Sequence, residues 1–369
     1  MTPKRLILIA AFAAAAALPA SAEAAYAPVD QPGPPLSVPQ SRLDASLACS
    51  AGVDNATRAP VLLVPGTGAT PEDNWSWSYE PAFDMLGIPW CTVAMPEHAN
   101  ADIQIAGEYV VNGIRTMFQR AGRKIAIVGH SQGGMVPRWA FRFWPDTRAM
   151  VDDQIGFAAS NHGTTLASVA CSSSCSAANW QQRDTSAFIQ ALNSFQETFP
   201  GISYTEIYTH TDEVVQPNSD DNGSSSVHGG GGDIENVATQ DVCPAAFYDH
   251  FAIGTVDPVA YALAIDALDN AGPADPSRVP VPATCLQSVQ PGLPITWPAS
   301  AAAALAAVQS SPSTPLPAEP PLACYVFAGG CPAQPALYGG PKKCKKSKRK
   351  KHRKHRKRCS KKKKKHRKR

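Results

Sequence analysis

The sequence predicts an α/β fold, a mainly parallel sheet with helices on both faces, and three observations lead to it. Apolar, often β-branched runs recur at 59–64, 90–94, 124–128, 154–159, 202–208 and 234–239. Most carry few polar residues, the pattern of short strands buried on both faces; 202–208 alternates instead. Between them lie stretches with helical apolar spacing. The clearest is 102–120, where Ile105, Val110, Val111, Ile114, Met117 and Phe118 recur at helical intervals. Strands that alternate with helices pair in parallel, because the crossover helix returns the chain to the same end of the sheet. The third observation is the break after 124–128. The run stops at Gly129-His130-Ser131-Gln132-Gly133-Gly134, and Met135, Val136, Trp139, Ala140 and Phe143 then follow a helical period.

Strand, tight turn and helix with serine at the turn is the nucleophile elbow of α/β-hydrolases. The physics selects the residue types. The serine sits in a strained backbone conformation, so its neighbours two before and two after must be small. The turn lifts the hydroxyl clear of the sheet, and the helix that follows aims its N-terminus at a developing oxyanion. A second glycine-rich turn, Pro65-Gly66-Thr67-Gly68, ends the strand at 59–64. In such a fold it supplies one oxyanion donor beside the N–H of the residue after the nucleophile, here Gln132. No Gly-Lys-Ser/Thr follows, so a phosphate-binding loop is set aside.

The other elements fall in order. Residues 1–22 read as a secretory leader: Lys4 and Arg5, an apolar run at 6–18, and a small-residue cleavage site at Ala20-Ser21-Ala22. Residues 23–48 form a Pro-rich, extended lead-in, and 49–340 the catalytic domain. A helix is expected at 188–195, a glycine-rich surface loop at 218–232, an Ala-rich helix at 299–308, and a Pro-rich linker or wrapping loop at 311–321. Residues 341–369 are a polybasic tail. Of the 34 Lys and Arg, 21 lie in 342–369, with no acid among them. The other 13 face 30 acidic residues, so the body is acidic, at net −17. The tail's charge and lack of apolar residues predict disorder and salt-dependent adhesion to anionic surfaces. It lacks interleaved aromatics, which argues against specific nucleic-acid binding. Ten cysteines in an exported chain favour disulfides. Cys171 and Cys175 are read as a local bridge over the alternative of zinc, since no second pair lies nearby.

A serine hydroxyl is a weak nucleophile until a histidine takes its proton, and an acid must orient that histidine. In this fold the chain order is Ser, then Asp or Glu, then His. Asp212 directly follows the strand at 202–208, and His250 lies in a loop after the last strand. Asp184 and Asp241 are other acids; His162, His210 and His228 are other histidines. His162 precedes any suitable acid, and His228 sits in the glycine-rich loop, a poor platform for a fixed base.

With these residues placed, the chain resembles the Candida antarctica lipase B family and its bacterial relatives. The matching stretches run from Leu62 to Gly68, Ser131 to Gly134, Trp180-Gln181-Gln182, Thr211 to Pro217, and Asp249-His250, in the family's order. The resemblance implies Ser131 as nucleophile, Asp212 as acid and His250 as base. It implies Thr67 and Gln132 as oxyanion donors, with the Thr67 hydroxyl as a further one. It implies bridges Cys49–Cys91 and Cys243–Cys285, with Cys324 pairing to Cys331 or Cys344; Cys359 is left without an assignment. Three positions depart from the family: His130 stands where it has Trp, Asn161 where it has an acid, and Pro137 falls within the elbow helix. The basic tail is a further departure.

The expectation is a secreted, monomeric serine hydrolase of carboxylic esters, acting on lipid or small esters, with no metal or organic cofactor. Two alternatives stand beside it: acyl transfer on the same fold, and a surface-binding protein whose tail is the main function.

Overall fold

The computed structural model describes residues 25–331. The leader read at 1–22 and the basic tail at 341–369, with Cys344 and Cys359, lie outside the described residues. Seven strands form one sheet: β1 (Leu47–Cys49), β2 (Val61–Val64), β3 (Trp90–Val93), β4 (Ile125–His130), β5 (Val151–Phe157), β6 (Ser203–Tyr208) and β7 (Asp233–Ala238). Their spatial order is β1-β3-β2-β4-β5-β6-β7. Only β1 runs antiparallel to its neighbour; the rest pair in parallel. The expected mainly parallel sheet is present.

The strands are buried on both faces for the reason their composition gave. Leu62 and Val64 of β2 and Ile125 and Ile127 of β4 enter one core layer. Their alternates Val61, Leu63, Ala126 and Val128 enter the other. The first layer is covered by the helices Ile103–Ala121 and Gln132–Phe143, the second by Tyr79–Leu86 and Pro258–Asp269. The first two helices pack closely because Gly107 faces Trp139: a Cβ there would sit 2.7 Å from the indole.

Several details differ from the sequence reading. Within the lead-in, Gln40–Ala45 is helical and β1 follows it. Proline density misled here, since Pro39 only precedes the helix, where proline is tolerated. The helix Gln132–Phe143 runs as one element through Pro137. The loop at 218–232 is not all surface, because Ser224, Ser225, Ser226 and Val227 are buried. His250 opens a short helical turn, His250–Ile253, capped by the Asp249 carboxylate, rather than lying in open loop.

Among the described residues four disulfides are formed: Cys49–Cys91, Cys171–Cys175, Cys243–Cys285 and Cys324–Cys331. Cys324 thus takes the nearer of its two candidate partners. The first and third bridges each close 42 residues, which by chain entropy contributes about 4 kcal/mol apiece. After the helix Trp297–Gln309 the chain becomes a strap over the body. It pairs with Cys175 at Leu316, and its far end pairs with the N-terminal segment through Ala27 N–H to Val326 C=O (2.8 Å) and Ala328 N–H to Ala25 C=O (3.0 Å). The wrapping-loop option for 311–321 is the one realised.

Candidate active site

The sheet order places a crevice at one point. From β2 the chain steps outward to β3; from β4 it proceeds the other way to β5. Loops leaving the carboxyl ends of β2 and β4 therefore diverge, and the gap between them is where open α/β sheets bind ligands. Pro65-Gly66-Thr67-Gly68 leaves β2 there, and Ser131 leaves β4. Ser131 has φ 56° and ψ −123°, a conformation that L-residues rarely adopt. The turn is held by the Ser131 N–H, which donates to Phe157 C=O at 2.8 Å. It also demands glycine on both sides. A Cβ on Gly129 would lie 2.1 Å from Gly133 C=O, and one on Gly133 would lie 2.1 Å from Val64 C=O.

The expected acid and base lie beyond the last two strands, β6 and β7. Asp212 follows β6, with a fully buried carboxylate. Its Oδ1 accepts the N–H groups of Val214 and Val215, both at 2.8 Å. Its Oδ2 faces His250 Nδ1 at 2.9 Å, with the Asn218 amide 3.5 Å away. A carboxylate only accepts, so Nδ1 carries the hydrogen and Nε2 keeps a lone pair. His250 and Ser131 line the same cavity, as does Thr67. Of the competing residues, His162 pairs with Glu197 at 2.9 Å, His228 Nε2 bonds Asp221 C=O at 2.8 Å, and Asp184 binds Ser168.

Thr67 and Gln132, the expected oxyanion donors, meet through their side chains. Thr67 Oγ1 accepts from two side-chain amides, Gln132 Nε2 at 3.1 Å and Gln182 Nε2 at 2.8 Å. The Ser160 hydroxyl donates to Gln182 Oε1 at 2.9 Å, which fixes that amide's direction. With two donors on its oxygen, Thr67 keeps its own O–H free to donate. Gln132 is the first residue of its helix, so its backbone N–H has no partner within the helix. Gln182, in the Trp180-Gln181-Gln182 stretch, reaches Thr67 only through the fold.

This corner rests on an unusual piece of backbone. Glu97, His98 and Ala99 all have left-handed φ, at 51°, 52° and 60°. Each costs about 1–2 kcal/mol for an L-residue. The turn presents His98 C=O to Gly68 N–H at 2.7 Å and Ala99 C=O to Gln132 Nε2 at 2.9 Å. Both acceptors serve the two loops that form the crevice.

The cavity holds about 370 Å³. Leu166, Ala167 and Ala170 of the helix Thr165–Ala170, Leu305 and Val308 of the helix Trp297–Gln309, and Val215 give it an apolar wall. His130 closes the side beside His250. Its Nε2–H donates to His250 C=O at 2.8 Å, with the ring centroids 5.0 Å apart. Burial, then the neighbouring His250, pull its pKa down to about 3, so it is neutral. Gly254 leaves room for the ring, since a Cβ there would come within 2.3 Å of it.

Comparison with known proteins agrees with this fold. Residues 108–243 match the family described as Lipase (class 2). Lipase B of Pseudozyma antarctica is 34% identical over 220 residues, covering 59% of this chain. The aligned part spans 64% of that relative's length. The solved structure of Aspergillus fumigatus lipase B superposes with a TM-score of 0.74 at 28% identity, over 84% of this chain and 77% of that one. The chain has an α/β-hydrolase fold and is similar to these lipases.

The departures from the lipase-B-like pattern have local explanations. Asn161 is fully buried behind the elbow, donating to Ser225 C=O at 2.7 Å and accepting from Arg138 at 3.2 Å. Arg138 projects from the elbow helix and also reaches Asn193 at 2.7 Å. Nearby, Gln154 donates to Gly134 C=O at 2.8 Å and to Glu206 at 3.2 Å, so the elbow is braced from below. Burial pushes Glu206 up to about 8, with Arg138 opposing. Its folded pKa thus lies above the ordinary carboxyl value of 4.5. The protonated group favours the fold at low pH, and that contribution is lost as pH rises from about 4.5 through 8. Glu206→Gln, neutral at all pH, should therefore gain stability over the parent by a few kcal/mol between pH 5 and pH 8, to order of magnitude. Chemical denaturation at both pH values checks this, and an unchanged difference would exclude a neutral buried Glu206.

Proposed function

We propose that the chain is a secreted serine hydrolase that cleaves carboxylic esters of lipid or similar apolar acids through an acyl-enzyme. The observation that carries this is the hydrogen-bonded pair Asp212–His250 opening, with Ser131, onto one apolar cavity. In this reading the Ser131 hydroxyl attacks the ester carbonyl and His250 Nε2 takes its proton. Asp212 holds the imidazole in the tautomer that can accept it and stabilises the imidazolium that results. Charge gathers on the former carbonyl oxygen, where the N–H groups of Thr67 and Gln132 and the Thr67 O–H receive it. His250 returns the proton to the leaving alcohol, and a water activated by the same histidine then releases the acid. The apolar wall suits an acyl chain, since burial of CH₂ groups favours it by about 0.8 kcal/mol each.

A fluorophosphonate probe tests the reading directly. Label on Ser131 by peptide mapping is expected, absent from Ser131→Ala; label elsewhere or none would overturn it. A series of p-nitrophenyl esters then measures the preferred chain length.

The disulfides fit an oxidising compartment, and the leader at 1–22 accounts for export. The tail gives the exported enzyme a hold on anionic surfaces: 21 cationic side chains against a body of opposite sign. The full chain should bind heparin resin at low salt and elute as salt rises, while a chain ending at 340 should flow through. Equal retention of the two would remove the tail from this role.

A further inference from the structure

We infer that Glu97 is a positioning residue for the oxyanion site, tying the C-terminal strap at Thr314 to the left-handed turn that holds Gly68 and Gln132. The inference rests on the reading of Ser131 as an ester-cleaving nucleophile. The turn 97–99 sits at one remove from the chemistry. His98 C=O anchors Gly68, next to Thr67, and Ala99 C=O anchors the Gln132 amide, which also bonds Thr67 Oγ1. A rotation of this turn therefore moves both loops of the oxyanion corner together.

Neither Glu97 nor Ala99 favours the left-handed region, and a free chain would leave it. The restraint must come from outside, and the strap supplies it. The Glu97 carboxylate accepts from Thr314 N–H at 3.2 Å and Thr314 Oγ1–H at 2.9 Å. Three residues on, buried Asn100 donates to Ser311 Oγ at 3.0 Å and Pro312 C=O at 3.2 Å. The strap is anchored in turn. Leu316 exchanges two backbone hydrogen bonds with Cys175, and Glu319 accepts the N–H groups of Ala187 and Phe188. Glu97 itself is exposed, where a hydrogen bond adds little to global stability. Its effect should therefore appear in the chemistry, because donors must meet the oxyanion within a fraction of an ångström.

The test uses the full chain and the variants Glu97→Ala, Glu97→Gln, Thr314→Val and the Glu97→Ala/Thr314→Val pair. For a p-nitrophenyl ester, Glu97→Ala should lower kcat about tenfold with KM within about twofold. Affinity for an alkyl boronic acid, which mimics the tetrahedral adduct, should fall by the same factor. Glu97→Gln keeps one acceptor oxygen and should lie between. The pair should be no slower than Glu97→Ala alone, since both changes release one clamp. A lowered Tm with kcat and boronate affinity at parental values would overturn the inference, leaving Glu97 a structural contact. A parent that neither turns over ester nor binds boronate would overturn the reading of the site as well, so the two failures are distinguishable.

Discussion

Ser131→Ala should lower ester turnover by about a million-fold, while leaving the fold and the melting temperature close to those of the parent. The size follows from what the substitution removes. Without the hydroxyl no acyl-enzyme forms, and His250 has nothing to activate in the first step. What persists is the oxyanion corner and the cavity, which alone can still favour attack by water over the uncatalysed rate. The positive φ at Ser131 is as unfavourable for Ala as for Ser, so stability should change little. Burst kinetics with a p-nitrophenyl ester give the readout, and near-parental turnover would place the chemistry elsewhere.

Asp212→Asn should cost about ten-thousand-fold in kcat with small change in KM. The surroundings dictate the outcome. Oδ1 accepts two backbone N–H groups, from Val214 and Val215, so an Asn carbonyl would be held there and its NH₂ turned to His250. An NH₂ can only donate to Nδ1, which moves the imidazole hydrogen to Nε2. The base then has no lone pair for Ser131. Loss of fluorophosphonate labelling in a protein that melts like the parent would show the tautomer at work; a parental labelling rate would free Asp212 from this task.

Much of this was legible in the chain, and what was hidden shares a cause. The sheet could be read because parallel strands buried on both faces leave unbroken apolar runs, as at Val61–Val64 and Ile125–His130. The elbow could be read because Gly129 is forced by a contact inside the motif, against Gly133. Asp212 and His250 followed from chain order and from where strands end. The turn at 97–99 could not be read, since Glu97 and Ala99 argue against the conformation they adopt and contacts distant in the chain help to hold them there. Gln182 and Asn74 were hidden for a similar reason. Gln182 bonds Thr67 across 115 residues, and Asn74 Oδ1 accepts the Gly66 N–H at 3.0 Å from within a short helix with no catalytic signature. Pro39 and the glycines of 218–232 misled because composition reports local preference, while the burial of Ser225 and Ser226 is set by the network behind the elbow.

The strap has a consequence for the order in which the enzyme comes into being. A polypeptide leaves the ribosome, and an export channel, from its N-terminus. Ser131, Asp212 and His250 would all emerge before residue 311, yet the segment that restrains the turn at 97–99 comes after it, and Ala25 and Ala27 wait for Val326 and Ala328. A nascent chain held short of these residues would carry the full triad without its settled oxyanion corner. In the proposed reading, hydrolytic competence is then reached only once the segment after residue 311 has folded back onto the turn at 97–99.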